Sequence, residues 1–267
     1  MTPQTQARVS KWCLRHLKGS PALFKFRSAI VEFRKGTMAE HRYQQYCGLA
    51  RTLDVAGDRW TLLVVRELMP GPRRFTDLIE GLPGVSRKLL AERLRALEND
   101  GIIVQRELPP PAARQVYELT DDGRDLAVAM TPLIAWGARR IGERHATDSF
   151  HPRWAGLAMT VLADREAAKG VRETYQFLVG SCAFYITVDD CAVRLHDGRA
   201  QDPDVIWTTD EETWADISSG KVTPRSAVTT GALTIAGNSR ARARLGKIFS
   251  RTEMLGRAQA IVERSLA

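Results

Sequence analysis

The stretch from residue 46 to 120 alternates helix starts and stops so closely that few folds can accommodate it. Leu49, Leu53 and Val55 recur at helical spacing and end at Gly57. Asp58 is expected to cap a second helix through Trp60, Leu62, Leu63, Val64, Val65 and Leu68, which Pro70, Gly71 and Pro72 stop. A short third helix is expected from a Thr76 cap through Leu78 and Ile79 to Leu82, before Pro83 and Gly84 turn the chain. Ser86 then caps a longer helix whose inward face is Leu89, Leu90, Leu94 and Leu97, with Gly101 as its stop. Two β-runs follow, Ile102 to Leu108 and Gln115 to Leu119, around a Pro109-Pro110-Pro111 tip. Thr120 caps a last helix carrying Leu126, Met130, Leu133, Ile134 and Trp136. Helix, helix, short helix, helix and hairpin is the order of a winged helix-turn-helix.

That order assigns roles to particular cations. The leucine face holds the fourth helix while its first turn and outer face stay free to enter a major groove. Ser86, Arg87, Lys88 and Arg95 lie on the free side, with Arg93 near its edge. Arg87 and Lys88 oppose the positive end of the helix dipole, a local misfit that an arriving phosphate would relieve. Arg73 and Arg74, ahead of the third helix, and Arg114 at the wing base are expected to clamp backbone and not to read bases. The bland alternative is a solvated basic face.

Net charge adds nothing to this assignment. The chain of 267 residues has a formal charge of +8, but residues 1–37 hold eight cations and one anion, leaving +1 for the rest. That leader mixes Trp12, Phe24 and Phe26 with its charges and is broken at Gly19, Ser20 and Pro21. It fits a basic arm on phosphates, a membrane-surface segment, or an inert stretch; we adopt the last, a disordered extension or misassigned start ahead of Met38. At about 150 residues per domain the length suggests two domains, here 38–142 and 150–267 after the 1–37 extension. No apolar run approaches the ~18 residues of a membrane span, and the N-terminus lacks a secretory apolar region. The expected compartment is cytoplasmic, and no membrane partner is expected. Four cysteines, at 13, 47, 182 and 191, form no CxxC pair.

Residues 47 to about 137 resemble the HxlR-type winged-helix regulators of bacteria. The resemblance rests on Asp58-Arg59-Trp60-Thr61-Leu62-Leu63, Arg66-Glu67-Leu68, Gly71-Pro72-Arg73-Arg74-Phe75, Leu82-Pro83-Gly84-Val85-Ser86, Arg93-Leu94-Arg95-Ala96-Leu97-Glu98 and Val116-Tyr117-Glu118-Leu119-Thr120. It implies a homodimer built on the first and last helices and a pseudo-palindromic double-stranded DNA operator. Trp60 and Trp136 then become core or dimer-packing residues. Cys47 stands where some members carry a regulatory cysteine, so a redox role is one expectation; a small apolar cap residue is the other.

The second half changes character. Trp154 to Leu162 reads as helix, and Val171, Tyr175 and Leu178 continue the helical spacing. Strands are expected at Cys182 to Val188, Ala192 to His196 and Val205 to Thr209, with Asp197-Gly198 as a hairpin turn after the second. A helix from Glu211 to Ser218, another near Pro224, a strand from Gly231 to Ala236 and a basic helix from Arg240 to Phe249 complete an α+β domain. Val205-Ile206-Trp207-Thr208, Thr213-Trp214-Ala215-Asp216-Ile217-Ser218-Ser219-Gly220-Lys221 and Thr230-Gly231-Ala232-Leu233-Thr234 resemble the sterol carrier protein type-2-like fold. This implies a space between sheet and helices for a fatty or sterol-like ligand, lined by Phe184, Trp207, Trp214, Ile217 and Phe249. Ile186, Leu233 and Ile235 are further lining candidates, against plain core as the alternative. Arg240, Arg242, Arg244 and Lys247 are expected to form a solvated basic face.

The five scattered histidines have no metal spacing, and G-x-S-x-G, P-loop and G-x-G-x-x-G patterns are missing. We therefore expect no catalytic residues, metal or cofactor. The fold expected is α+β, a winged helix-turn-helix DNA-binding domain followed by a lipid-carrier-like domain. The function expected is a dimeric bacterial DNA-binding regulator that takes an apolar small-molecule effector. A lipid or acyl carrier dimerised through the winged helix, and a redox-switched regulator using Cys47, are the alternatives.

Overall fold

The computed structural model describes residues 43–108, 114–142, 144, 145, 147–250, 253, 254, 256–258, 260 and 261; the expectations for residues 1–37 and for the proline tip lie outside these. Helices α1 (Gly48–Ala56), α2 (Thr61–Leu68), α3 (Phe75–Glu80) and α4 (Arg87–Asn99) precede the hairpin β1 (Ile103–Glu107) and β2 (Gln115–Leu119), then helix α5 (Asp121–Ala138). The caps explain most boundaries. Ser86 Oγ accepts the Leu89 N–H at 3.2 Å, and Thr120 Oγ1 accepts that of Gly123 at 3.1 Å.

Two expected caps are corrected. Asp58 does not cap α2: its carboxylate pairs with Arg93 of α4, and Trp60 stands at the cap with φ +80°. A charged partner across the fold outcompetes a local amide. Thr76 lies inside α3, which Arg74 precedes; Asp77 accepts the Arg74 N–H at 3.1 Å and fixes the start two residues early. Below these caps, Val64, Val65, Leu68, Leu78, Leu82, Leu90, Leu94 and Leu97 form the buried cluster that seats α4. Leu89, expected on that face, is only half-buried.

Helix α6 (Pro152–Val161) opens the second half. Strands β3 (Arg172–Val179), β4 (Cys182–Asp189), β5 (Ala192–Asp197), β6 (Val205–Thr209) and β7 (Leu233–Gly237) form one sheet in the order β5-β4-β3-β6-β7. Helices α7 (Glu211–Ser219), α8 (Pro224–Thr229) and α9 (Ser239–Ile248) complete the elements. All pairings are antiparallel except β3 with β6.

The helical expectation for Val171, Tyr175 and Leu178 is corrected to strand β3. Tyr175, Phe177 and Val179, two residues apart, share the buried face, and this period prevails over the accidental spacing of four and three. The turn at Asp197-Gly198 is also not a hairpin. The β4–β5 hairpin turns instead at Asp190 (φ +42°) and Cys191 (φ +73°), both left-handed as a tight two-residue turn requires. After Asp197 the chain crosses to the far side of β3.

The core between sheet and helices is aromatic. Phe177 stacks on Phe184 with centroids 5.0 Å apart and meets Trp214 at 5.4 Å, while Trp207 meets Trp214 edge-on at 6.2 Å. Phe177 has no exposed surface, so Phe177→Ala should destabilise the protein by about 3–5 kcal/mol in urea unfolding; a loss below about 1 kcal/mol would contradict this packing.

Candidate nucleic-acid interface and interdomain junction

Helix α4 presents the residues a groove would meet. Its first turn holds no acidic residue, and Ser86, Arg87, Lys88 and Arg95 are exposed while Leu90, Leu94 and Leu97 turn inward. Lys88 reaches Glu92 at 4.0 Å, a solvent-exposed pair worth little and easily exchanged for phosphate. Arg74 is half-exposed and Arg114 exposed.

The structure places two of the expected cations in ion pairs. Arg93 is engaged with Asp58, so it ties α4 to the start of α2. Arg73 is 7% exposed, its Nε donates to Glu67 O at 3.2 Å, and its guanidinium pairs with Asp197 at the end of β5. Backbone bonds to Tyr117 in both directions bind Arg73 to the wing. A buried, paired guanidinium cannot clamp a phosphate.

Arg73 leads to a site the sequence reading missed. Glu67 on α2 is 2% exposed and its carboxylate accepts four donors. Arg66 Nε and Nη2 reach Oε1 at 2.9 and 2.7 Å, Trp154 Nε1 reaches Oε1 at 2.9 Å, and Arg153 Nη2 reaches Oε2 at 2.6 Å. Arg153 also meets Asp197 at 3.3 Å, and Arg66 lies over the Trp154 ring at 4.3 Å while donating to Gly81 O. Burial pulls Arg66 below its ordinary pKa, against the raising effect of Glu67. Burial and the Arg153 charge also hold His151 low, so at neutral pH an uncharged ring caps α6, accepting the Arg153 N–H. The available signal was Glu67 itself, an acid on the inward side of the helix, three residues after Val64.

The remaining candidates divide. Phe184, Trp207, Trp214, Ile217 and Phe249 are all buried, as are Ile186 and Leu233; the Phe184 and Trp207 rings meet Trp214, and Phe249 meets Tyr175 edge-on. The Trp207 indole N–H has no hydrogen-bond partner among the described residues. Arg244, expected as a solvated cation, is half-exposed and donates to buried Glu173, which also accepts the Tyr175 hydroxyl. On the other side, Leu49 and Leu53 of α1 and Val128, Leu133 and Trp136 of α5 are exposed apolar residues; Val128 is 71% exposed. Cys47 is exposed at the start of α1, where the Ala50 and Leu49 amides lower its pKa.

Residues 55–145 match the HxlR-like helix-turn-helix family. The HTH-type transcriptional regulator YodB of Bacillus subtilis is 39% identical over 80 residues, which are 30% of this chain and 71% of YodB. The chain belongs to the HxlR-like helix-turn-helix family. An uncharacterized HTH-type transcriptional regulator of Mycobacterium bovis is 39% identical over 97 residues, 36% of this chain and 60% of that relative. The solved reduced form of YodB aligns with 36% of this chain and 94% of its own at 33% identity and a TM-score of 0.32. Residues 158–250 match the SCP-2 sterol transfer family. The HxlR-like winged helix is thus joined to an SCP-2 domain, the α+β arrangement expected. Among the described residues, no helix is long and apolar enough to cross a membrane.

The cysteine of this HxlR-like chain gives a direct check. Thiolate is the alkylated form, so a lowered pKa moves the onset to lower pH. Alkylation of Cys47 by iodoacetamide, followed on its peptide by mass spectrometry, should rise with a midpoint at lower pH than the same cysteine shows in the urea-unfolded chain. A midpoint at or above that of the unfolded chain would contradict the geometry.

Proposed function

We propose that this chain is a DNA-binding transcriptional regulator, acting in the cytoplasm as a homodimer on a pseudo-palindromic operator. The observation that carries the reading is the first turn of α4, with Ser86, Arg87 and Lys88 exposed, no acid, and the opposite face buried. Arg87, Lys88 and Arg95 would face the groove, and Arg74 and Arg114 would touch backbone. With Arg73 and Arg93 engaged elsewhere, five cations remain per subunit, which at −0.9 per phosphate contact limits the salt slope to roughly −4.5 per subunit. The exposed apolar residues of α1 and α5 are the surface a second copy would cover.

An apolar small molecule in the domain we place at residues 150–267, set off from a DNA-binding domain at 38–142, is the proposed effector. Support comes from Trp207: a buried indole N–H without a partner costs about 1–3 kcal/mol, which a ligand acceptor would recover. Because the rings touch, such a ligand has to part them, so it favours one arrangement of the domain over another. The same observation supports the second reading, a lipid or acyl carrier dimerised through the winged helix.

The double substitution Arg87→Ala, Lys88→Ala separates the two. The regulator predicts at least about a tenfold loss of affinity for a duplex selected with the wild-type protein, at unchanged circular dichroism. Unchanged DNA affinity, with fatty-acid uptake retained, would favour the carrier.

A further inference from the structure

The junction at Glu67 has a second half. Trp214, in the aromatic core, donates its indole N–H to Pro152 O at 3.1 Å. Pro152 is the first residue of α6, and the next two, Arg153 and Trp154, are the ones that grip Glu67. One helical turn is therefore held from both sides. A tryptophan of the SCP-2 core holds its carbonyl, and a carboxylate of the helix-turn-helix holds its side chains. Met69, directly after α2, packs against both hydrophobic cores.

We propose that the first turn of α6 couples the aromatic core of the second domain to the helix-turn-helix, with Trp214, Arg153 and Trp154 as positioning residues and Glu67 as receiver. The physical reason lies in the cost of letting go. Moving the turn without its partners leaves Glu67 buried beside fewer donors and Arg153 with Asp197 alone, and uncompensated buried charge is among the most destabilising defects a fold can hold. The turn therefore moves with α2 or the junction breaks. Through Arg66, the same carboxylate is tied to Gly81, at the end of α3. Through Arg73 and Asp197, the end of β5 is tied to the wing strand β2. Both ties end on the framework that carries α4. A ligand that displaces Trp214 would accordingly be felt at α2 with no contact to DNA. The proposal gives the sensor reading its route and rests on it only for the purpose of the coupling.

Hydrogen exchange by mass spectrometry on the full chain, without DNA, tests the coupling alone, so its outcome is distinct from any failure of DNA binding. Trp214→Phe keeps an aromatic ring but removes the bond to Pro152. It should speed amide exchange about tenfold in residues 61–68 as well as in α6, while β3 and β4 stay protected. Trp207→Phe, in the same aromatic cluster without the bond to Pro152, should leave residues 61–68 at the wild-type rate. Coupling is reciprocal, so Glu67→Gln should speed exchange in residues 211–219. Exchange confined to the domain that carries the substitution, in both directions, overturns the proposal. Should Trp214→Phe fail to fold, Glu67→Gln decides it alone, and unchanged rates in residues 211–219 overturn it.

Discussion

The buried carboxylate of Glu67 constrains the rest of this molecule. A carboxylate offers about four acceptor positions, and water must be replaced at each when it is 2% exposed. Here Arg66, Arg153 and Trp154 supply the four donors. Two of those residues belong to the second domain. The helix-turn-helix thus carries on α2 an acid that its own residues satisfy only in part. Breaking such a site typically costs about 3–5 kcal/mol, whereas forming it adds little net stability, so its effect is to fix one docking of two domains.

This docking also redistributes the charge that a DNA-binding reading would count. Arg73 stands among the cations ahead of α3, yet it is spent on Asp197 and on the wing, and Arg93 is spent on Asp58. The cations left outward are concentrated at the first turn of α4 and beside the wing. The basic leader contributes most of the formal charge. Specific placement, and not a broad positive surface, carries the nucleic-acid reading.

The winged helix was legible because its signals are local. Ser86 and Thr120 are caps within three residues of the amides they bind, and the leucine period of α4 lies within one element. Several of the losses involved partners far along the chain. Asp58 looked like a cap because Arg93 is 35 residues away, and Asp197 looked like a hairpin turn because Arg73 and Arg153 are remote. In β3, a buried strand covered on both faces at Gln176 blurs the two-residue period enough for a helical spacing to appear. Glu67 was visible as an anomaly, but no local rule says which residue answers a buried acid. The aromatic residues of the second half were expected to line a space; that rings among them touch is a matter of packing no pattern encodes.

The central claim is that the two domains behave as one body because of this junction. Differential scanning calorimetry of the full chain tests it most directly, since separate domains melt separately and coupled ones together. The account predicts one cooperative transition for the wild-type protein and two for Glu67→Gln. Two resolved transitions in the wild-type protein would contradict it.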